Sequence, residues 1–194
     1  RGQYALVISL VCAASFLLFA AGFERRKTGA RRLVVVSVMT ALAVAGRFIP
    51  LIKPVAALTI ISALYLGGEA GFLTGALTAL ISNFYFGQGP WTPFQMMAWG
   101  LVGLIAGLLA APLRKSRALL LIYGLLSGVG YSMIMDVWTV LWYGQGFNMS
   151  LYLAALVTAL PHTALYAASN VIYLALFARP FGEKLERLRV KYGV

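Results

Sequence analysis

The sequence SNFYFGQGPWTPFQM, residues 82–96, separates two long apolar segments and holds the densest group of aromatic, amide and turn residues in the chain. Glycine and proline in such a position punctuate two helices rather than break one. Gly87, Gly89, Pro90 and Pro93 therefore predict a turn between two helices. Because aromatic and amide side chains surround this turn, we interpret the stretch as one wall of a small-molecule site at a membrane face.

The composition of the whole chain is that of a membrane protein. Of its 194 residues, 61% are hydrophobic and 11% are charged, whereas soluble domains average about 45–50% apolar and about 25% charged residues. A soluble fold of this size has too much surface for its volume to bury so many apolar side chains. We therefore predict an all-α integral membrane protein.

The apolar segments predict one N-terminal transmembrane helix followed by a body of six helices. A spanning helix needs about 20 apolar residues, within a range of about 17–25. The first segment covers residues 4–21, and the body segments cover residues 33–48, 55–66, 71–86, 94–113, 118–143 and 151–177, with a tight turn at 67–70. The predicted parts are an N-terminal helix with a basic loop (1–28), a six-helix membrane domain (29–180) and a basic tail (181–194).

The net charge of +11 comes mainly from basic clusters between the apolar segments. These clusters are Arg25, Arg26, Lys27, Arg31 and Arg32; Arg114, Lys115 and Arg117; and Arg179, Lys184, Arg187, Arg189 and Lys191. The positive-inside rule makes all three cytoplasmic, so the N-terminus is expected outside and the C-terminus in the cytoplasm. Connections at residues 46–54, 87–93 and 144–150 then share the outer face. Membrane lipid is the expected partner of these charges, rather than nucleic acid.

Several kinds of chemistry are not expected from the sequence. Cys12 is the only cysteine, which excludes an intrachain disulfide and a thiolate metal site, and inside an apolar helix it is expected to be inert. The chain has no G-x-x-x-x-G-K-[ST] loop, so we do not expect it to hydrolyse ATP. No metal, cofactor or enzymatic activity is predicted. Basic residues follow the first apolar segment, which favours a membrane anchor over a signal peptide.

Two stripes of small residues predict close helix packing in lipid. Gly67, Gly71, Gly75 and Ala79 share one helix face, and their stripe leads to Asn83. In the fifth body helix, Gly124, Gly128, Ser132 and Asp136 form a comparable stripe.

Asp136 and His162 are the unusual ionisable residues within the predicted spans. A carboxylate inside a span costs about 2.5–3.5 kcal/mol on insertion scales and is usually functional or paired. Asp136 is interpreted as a ligand contact or a partner for Arg47, with a structural ion pair or a neutral acid as the alternatives. His162 has Tyr166 and Asn170 on its own helix face, and a satisfied interhelical hydrogen bond is expected there.

Taken in order, these features resemble the substrate-binding S-components of energy-coupling factor (ECF) vitamin transporters. Ala41 and Ala45 look like that family's contact with the transmembrane coupling subunit, and RFIPLIKP at 47–54 looks like its first outer loop. GGEAGFLTGALTALISNF at 67–84 is similar to its glycine-rich third helix, and Pro161 and Asn170 have the spacing of its last helix. The resemblance covers about residues 30–180, and the additional N-terminal helix departs from the six-helix pattern.

The resemblance implies a substrate-binding subunit of an ABC-type importer in a bacterial cell membrane. It implies that the outer loops capture a vitamin, that the subunit docks through Ala41 and Ala45, and that it topples to release substrate inside. A coupling subunit and two cytoplasmic ATPases are the implied protein partners.

Within the family, residues 82–96 are most similar to members assigned to cobalamin uptake. A corrinoid is large, flat and fringed with amides, so aromatic residues are predicted to pack on it and amides to pair with it, although other aromatic vitamins fit the same description. The candidate substrate-binding residues are Arg47, Asn83, Tyr85, Gln88, Trp91, Gln95, Trp99, Asp136, Trp142 and Asn148, with Gln145 as a further amide.

Other classes of protein remain open from the residues alone. A proton-coupled secondary transporter or channel would use Asp136 and His162 as a proton relay. An intramembrane hydrolase would use Ser82, His162 and Asn170, although the chain lacks a G-x-S-x-G turn. A membrane scaffold without a small-molecule ligand is the remaining alternative.

Overall fold

A computed structural model describes residues 6–7, 9–11, 13–14, 17, 30–144 and 146–193. The described positions between 6 and 17 are helical, but most of the predicted N-terminal helix lies outside the described residues. Cys12, Gln145 and the basic residues 25–27 also lie outside them.

Seven helices follow one another through the described body of the chain. They are α1 (Ala30–Gly46), α2 (Val55–Leu66), α3 (Gly68–Phe86), α4 (Thr92–Leu108), α5 (Ala110–Lys115), α6 (Arg117–Tyr143) and α7 (Met149–Tyr192). Of these, α6 and α7 are long and apolar enough by themselves to cross a membrane, and α2 and α4 are shorter apolar helices. The predicted all-α body is confirmed, with the short α5 added to its six helices.

Two predicted helix ends differ from the structure by more than three residues, and proline explains one of them. The predicted segment 94–113 is divided at Leu109 into α4 and α5. Pro112 has no amide hydrogen and its ring clashes with the carbonyl four residues earlier, so the α4 helix ends at Leu108. The last helix instead accommodates Pro161 and Pro180 and continues through the third basic cluster to Tyr192.

The connections between helices define two ends of the bundle. Residues 47–54, 87–91 and 144–148 join helices at one end, which we call the loop end. The start of α1, the end of α2 and the start of α6 lie at the other, which we call the basic end. At the basic end, α2 and α3 are joined by Gly67 alone, whose φ of 96° is a backbone conformation that favours glycine. The predicted turn at 67–70 is therefore a single residue.

Glycines allow α3 and α4 to pack with their backbones in contact, and this is the most extensive helix pair of the bundle. A Cβ atom at Gly71 would lie 3.0 Å from the Cα of Gly103, and one at Gly75 would lie 3.0 Å from the backbone nitrogen of Gly100. The predicted α3 stripe is thus confirmed as a packing surface. Its partner is a second set of glycines on α4.

The stripe on α6 packs in the same way against α7. A Cβ atom at Gly128 would lie 2.6 Å from the backbone nitrogen of Ala167. The Nδ2 of Asn170 donates to the carbonyl of Gly124 at 3.0 Å, an interhelical hydrogen bond of Asn170 and not the one expected for His162. One helical turn after Gly128, the hydroxyl of Ser132 forms a hydrogen bond of 2.5 Å with the hydroxyl of Thr163 on α7. The stripe ends at Asp136, towards the loop end.

We expect Gly75→Ala to destabilise the protein because the added methyl group meets the backbone of α4. Overpacking of this kind typically costs about 1–3 kcal/mol. The matched control is Gly130→Ala, where the added methyl group meets nothing within 4 Å and alanine has the higher helix propensity. Thermal unfolding of the two purified variants compares them. Equal melting temperatures would contradict the close approach of α3 and α4.

Candidate functional site

A buried arginine stands at the centre of the loop end. Arg47 follows the last residue of α1 and is 9% exposed. Its guanidinium donates to the hydroxyl of Ser82 and, at 2.7 Å, to the Oδ1 of Asn83. It also lies 4.7 Å from the ring centroid of Phe86 and 5.2 Å from that of Trp99. Burial lowers the pKa of Arg47 from its ordinary value, although a guanidinium remains charged in proteins.

These partners correct one interpretation of the sequence. Arg47 contacts neutral polar groups and aromatic faces, and its bonds are to Ser82 and Asn83 rather than to Asp136. The hydroxyl of Ser82 accepts from Arg47 and donates to the carbonyl of Thr78, so it anchors the arginine.

Asn83 continues the polar chain from α3 into α4 and α6. Its Nδ2 donates to Thr92 Oγ1 at 2.9 Å and to Gln95 Oε1 at 2.8 Å. The Nε2 of Gln95 donates to the hydroxyl of Tyr131 at 2.9 Å. We call the connected residues Arg47, Ser82, Asn83, Thr92, Gln95 and Tyr131 the polar network. It fixes the ends of α1, α3 and α4 relative to the middle of α6 with hydrogen bonds between buried groups.

An aromatic ladder runs beside the polar network towards α7. The ring of Tyr131 stacks on Trp99 at a centroid distance of 5.1 Å and on Tyr166 at 5.0 Å. The ring of His162 follows at 4.7 Å from that of Tyr166. His162 is thus in contact with an aromatic ring of its own helix. The ladder joins a fully buried tryptophan to a residue at the surface of a cavity.

That cavity has a volume of about 160 Å³ and lies between the 47–54 loop and α7. Its lining residues are Leu51, Lys53, His162, Leu165, Tyr166 and Ser169. Burial lowers the pKa of Lys53, and the positive charge of Arg47 lowers it further. The cavity therefore has a cationic wall on the loop and an aromatic wall on the helix.

Ser169 fastens the 47–54 loop to α7. Its hydroxyl accepts from the backbone N–H of Lys53 at 2.8 Å and donates to the carbonyl of the same residue at 2.9 Å. Leu51, two residues earlier, has a φ of 64°, a conformation that side-chain-bearing residues adopt rarely and at a cost. The loop is held closed by specific bonds while part of its backbone is strained.

Two aromatic groups form the rims of the loop end. On the side of α1 and α3, the ring of Phe48 lies 4.7 Å from Tyr85 and 5.0 Å from Phe86. On the side of α4 and α6, Trp138 lies 5.8 Å from Trp91 and 6.4 Å from Trp142. The predicted site residues Tyr85, Trp91 and Trp142 therefore belong to separate rims.

Two of the predicted amides stabilise the framework. Gln88 donates to the carbonyl of Leu80 at 2.9 Å, past the end of α3. Asn148 is the N-cap of α7, where its Oδ1 accepts from the backbone N–H groups of Ser150 at 2.9 Å and Leu151 at 3.2 Å. Both bonds satisfy local backbone groups, which is the usual use of such side chains at helix ends.

Asp136 lies on α6 with an exposed fraction of 8%. Its Oδ2 is buried and makes no hydrogen bond among the described residues, and the same holds for the Nε1 atoms of Trp99 and Trp138. A buried polar atom without a partner costs about 1–3 kcal/mol.

Among the predicted site residues, Arg47 contacts Asn83 and Trp99, and Asn83 contacts Gln95. The other predicted site residues lie around this group. Sequence reasoning did not include Tyr131, although this residue links the polar network to the aromatic ladder. Its signal is weak, because Tyr131 is one of ten tyrosines and its helix face gives no indication of its partner. In the part of the chain that the structure describes, no group of three His, Cys, Asp or Glu residues is arranged to hold a metal ion.

Comparison with known proteins identifies a family. Residues 27–187, most of the chain, match the family described as ECF-type riboflavin transporter, S component. Neither the curated proteins nor the solved structures contain a match. The matched region includes all of α1 to α6 and most of α7. The chain therefore belongs to the ECF-type riboflavin transporter S-component family, whose members are membrane transport subunits and not enzymes.

Proposed function

We propose that this chain, as the substrate-binding subunit of an ECF-type importer, takes up its vitamin between the 47–54 loop and α7. The observation that carries this proposal is the cavity lined by Lys53, His162 and Tyr166 beside the polar network. Cationic, aromatic and hydrogen-bonding groups converge there, as they do in small-molecule sites.

The substrate enters through movement of the 47–54 loop. Pockets for drug-sized ligands have volumes of about 300–1,000 Å³, and the cavity measures about 160 Å³. The space for a vitamin must therefore come from displacement of the loop. Breaking the two Ser169–Lys53 bonds opens the cavity at the side where Leu51 lines it, and the strain at Leu51 favours that displacement.

The first candidate for the vitamin is cobalamin or a related corrinoid. Residues 82–96 support it by their similarity to cobalamin-type members, and the wide loop end with two aromatic rims supports a large flat ligand. Gln88 and Asn148 make hydrogen bonds to the backbone of helices. In this proposal the amides of the corrinoid are therefore bound by Arg47, Lys53 and Asp136, whose Oδ2 has no partner among the described residues.

The second candidate is riboflavin, for which the matched family is named. The aromatic wall of the cavity favours a smaller planar ring, because His162 and Tyr166 line it and aromatic rings pack favourably against flat rings. Cobalamin and riboflavin differ in the volume that displacement of the 47–54 loop has to add to the cavity.

The loop end is proposed to face the exterior. The basic residues of the clusters that the structure describes lie at the opposite end, and the positive-inside rule directs that end to the cytoplasm. The N-terminus is then outside and the C-terminus inside, which requires residues 4–21 to cross the membrane once.

Docking on the coupling subunit is proposed at a groove beside α1. The groove has a volume of about 680 Å³ and an almost entirely apolar lining that includes Ala41, Ala45, Leu77 and Ile81. Small residues let a partner helix approach closely within lipid. The loaded subunit docks there and topples, and two ATPases drive release of the substrate on the cytoplasmic side.

We expect His162→Ala to weaken binding of the vitamin about tenfold, which corresponds to about 1.4 kcal/mol. His162 lines the cavity and touches the aromatic ladder. Equilibrium binding of cyanocobalamin and of riboflavin to the purified chain, without ATPases, measures the effect and selects the ligand. Leu160→Ala, an exposed position on the same helix outside the cavity, is the control. If neither vitamin binds, both candidates are rejected. If His162→Ala and Leu160→Ala bind the vitamin with equal affinity, the binding site lies elsewhere.

Ser169→Ala is expected to increase the rate of vitamin release about tenfold. It removes both hydrogen bonds that hold the closed loop, each of which contributes about 0.5–1.5 kcal/mol. Stopped-flow displacement of bound vitamin measures the rate. Thr158→Ala is the control, because its hydroxyl lies on the same helix and bonds only to the helix carbonyls of Ala154 and Ala155. An unchanged rate for Ser169→Ala would mean that the loop does not gate release.

Ala41→Trp is expected to leave vitamin binding intact and to abolish uptake. The large ring fills the groove that the coupling subunit needs, while the loop end is unchanged. Uptake by cells or proteoliposomes containing the complete transporter is compared with binding to the isolated subunit. Leu126→Trp, at another exposed position of the bundle, serves as the control. Normal uptake by Ala41→Trp would place docking elsewhere.

A further inference from the structure

A second cavity lies at the basic end of the bundle, remote from the proposed vitamin site. Its volume is about 310 Å³. Arg32 of α1, Arg114 of α5 and Arg189 of α7 all line it, and no acidic residue does. Three separate helices therefore place guanidinium groups around one space.

The arginines are held in place by contacts that leave a surplus of positive charge. Arg32 is 8% exposed, donates to the carbonyl of Leu66 at 2.6 Å, and lies 3.6 Å from Glu69. One oxygen of Glu186 lies 3.0 Å from Arg114 and 3.9 Å from Arg189, so these two cations share one carboxylate. Each guanidinium carries five N–H donors, so a shared carboxylate oxygen uses few of them.

One of the three arginines also caps a helix. Arg32 caps the carboxyl end of α2 through Leu66, as basic side chains commonly do. Arg114 and Arg189 make no such cap in the described contacts. Arg114 instead lies over the ring of Tyr65 at 4.6 Å, which fixes its guanidinium at the wall of the cavity.

Apolar side chains lie beside these arginines. Leu64, Leu66 and Ala110 line the same cavity. A ligand that fits has an anionic head and an apolar body. Basic pockets between transmembrane helices at the cytoplasmic side bind lipid head groups of this kind.

We propose that this cavity binds the phosphate of an anionic phospholipid, with Arg32, Arg114 and Arg189 as its ligands. The site is independent of the vitamin and of the 47–54 loop. Glu186 competes with the phosphate for two of the arginines, because its carboxylate occupies the same donors.

The experiment measures phospholipid binding to the purified full chain by native mass spectrometry. The probes are dioleoyl phosphatidylglycerol and dioleoyl phosphatidylcholine. We expect phosphatidylglycerol to bind at least tenfold more tightly. Arg114→Gln and Arg189→Gln should each weaken its binding about fivefold, the size expected for one cation near an anionic lipid surface. Arg179→Gln is the control on α7, since Arg179 is 90% exposed and pairs with Glu183 outside the cavity.

A further variant separates lipid recognition from general stability. Glu186→Gln removes the competing carboxylate, so phosphatidylglycerol should bind more tightly even though two ion pairs are lost. Equal binding of the two lipids, or equal losses in Arg179→Gln and Arg189→Gln, would overturn the proposal. A third result would be that inorganic phosphate alone stabilises the protein against heat as much as phosphatidylglycerol does. That result would assign the cavity to a free anion and would overturn the proposal of a lipid ligand.

Discussion

The loop end depends on the burial of Arg47. A guanidinium cannot give up its charge, and a buried charge without partners costs several kcal/mol. The structure supplies two acceptors from α3 and two aromatic faces, while Arg47 Nε has no hydrogen-bond partner among the described residues. Each of these groups then needs its own support, and Asn83 finds it in Thr92 and Gln95 of α4. One charge thus determines the arrangement of several helix ends.

The glycines make this arrangement sterically possible. Asn83 reaches Gln95 at 2.8 Å because α3 and α4 approach with their backbones in contact at Gly71, Gly75 and Gly103. Side chains larger than hydrogen at those positions would separate the helices and with them the two amides. Helix packing in the interior therefore supports hydrogen-bond geometry near the membrane face. The same relation holds between α6 and α7, where Gly124 and Gly128 precede the ladder of Tyr131 and Tyr166.

The sequence predicted the elements better than their partners. Apolar length and turn residues located α2 within its observed bounds and α6 within one residue, since these signals are local. The stripes on α3 and α6 were recognised because four-residue spacing defines one helix face. That Gly103 faces Gly71 was not predictable, because periodicity does not state which helix is opposite. The break at Leu109 was not predicted, because the apolar run of residues 94–113 continues through Pro112 without a charged residue.

The candidate site shows the same limit more strongly. Clustering of aromatic and amide residues indicated residues 82–96 as a candidate region, but residue type does not show whether an amide faces a ligand or a helix end. Gln88 and Asn148 have the chemistry of ligand contacts and make framework contacts. Ser169 and Lys53, which meet through one hydroxyl and one backbone unit across 116 residues of chain, left no local signal.

The distribution of satisfied and unsatisfied polar groups bears on specificity in the proposed function. A ligand gains little from groups such as Asn83, whose donors and acceptor are already engaged, because each new bond breaks an existing one. Discrimination is instead strongest where a site leaves buried polar atoms unpaired in the absence of the correct ligand. In this structure those atoms include Asp136 Oδ2 and Trp99 Nε1. A vitamin that brings a donor to Asp136 and an acceptor to the indole relieves both penalties, and a planar ring without them relieves neither. In the proposed function, selection among vitamins that share the aromatic ladder would rest on these few atoms rather than on the many amides of residues 82–96.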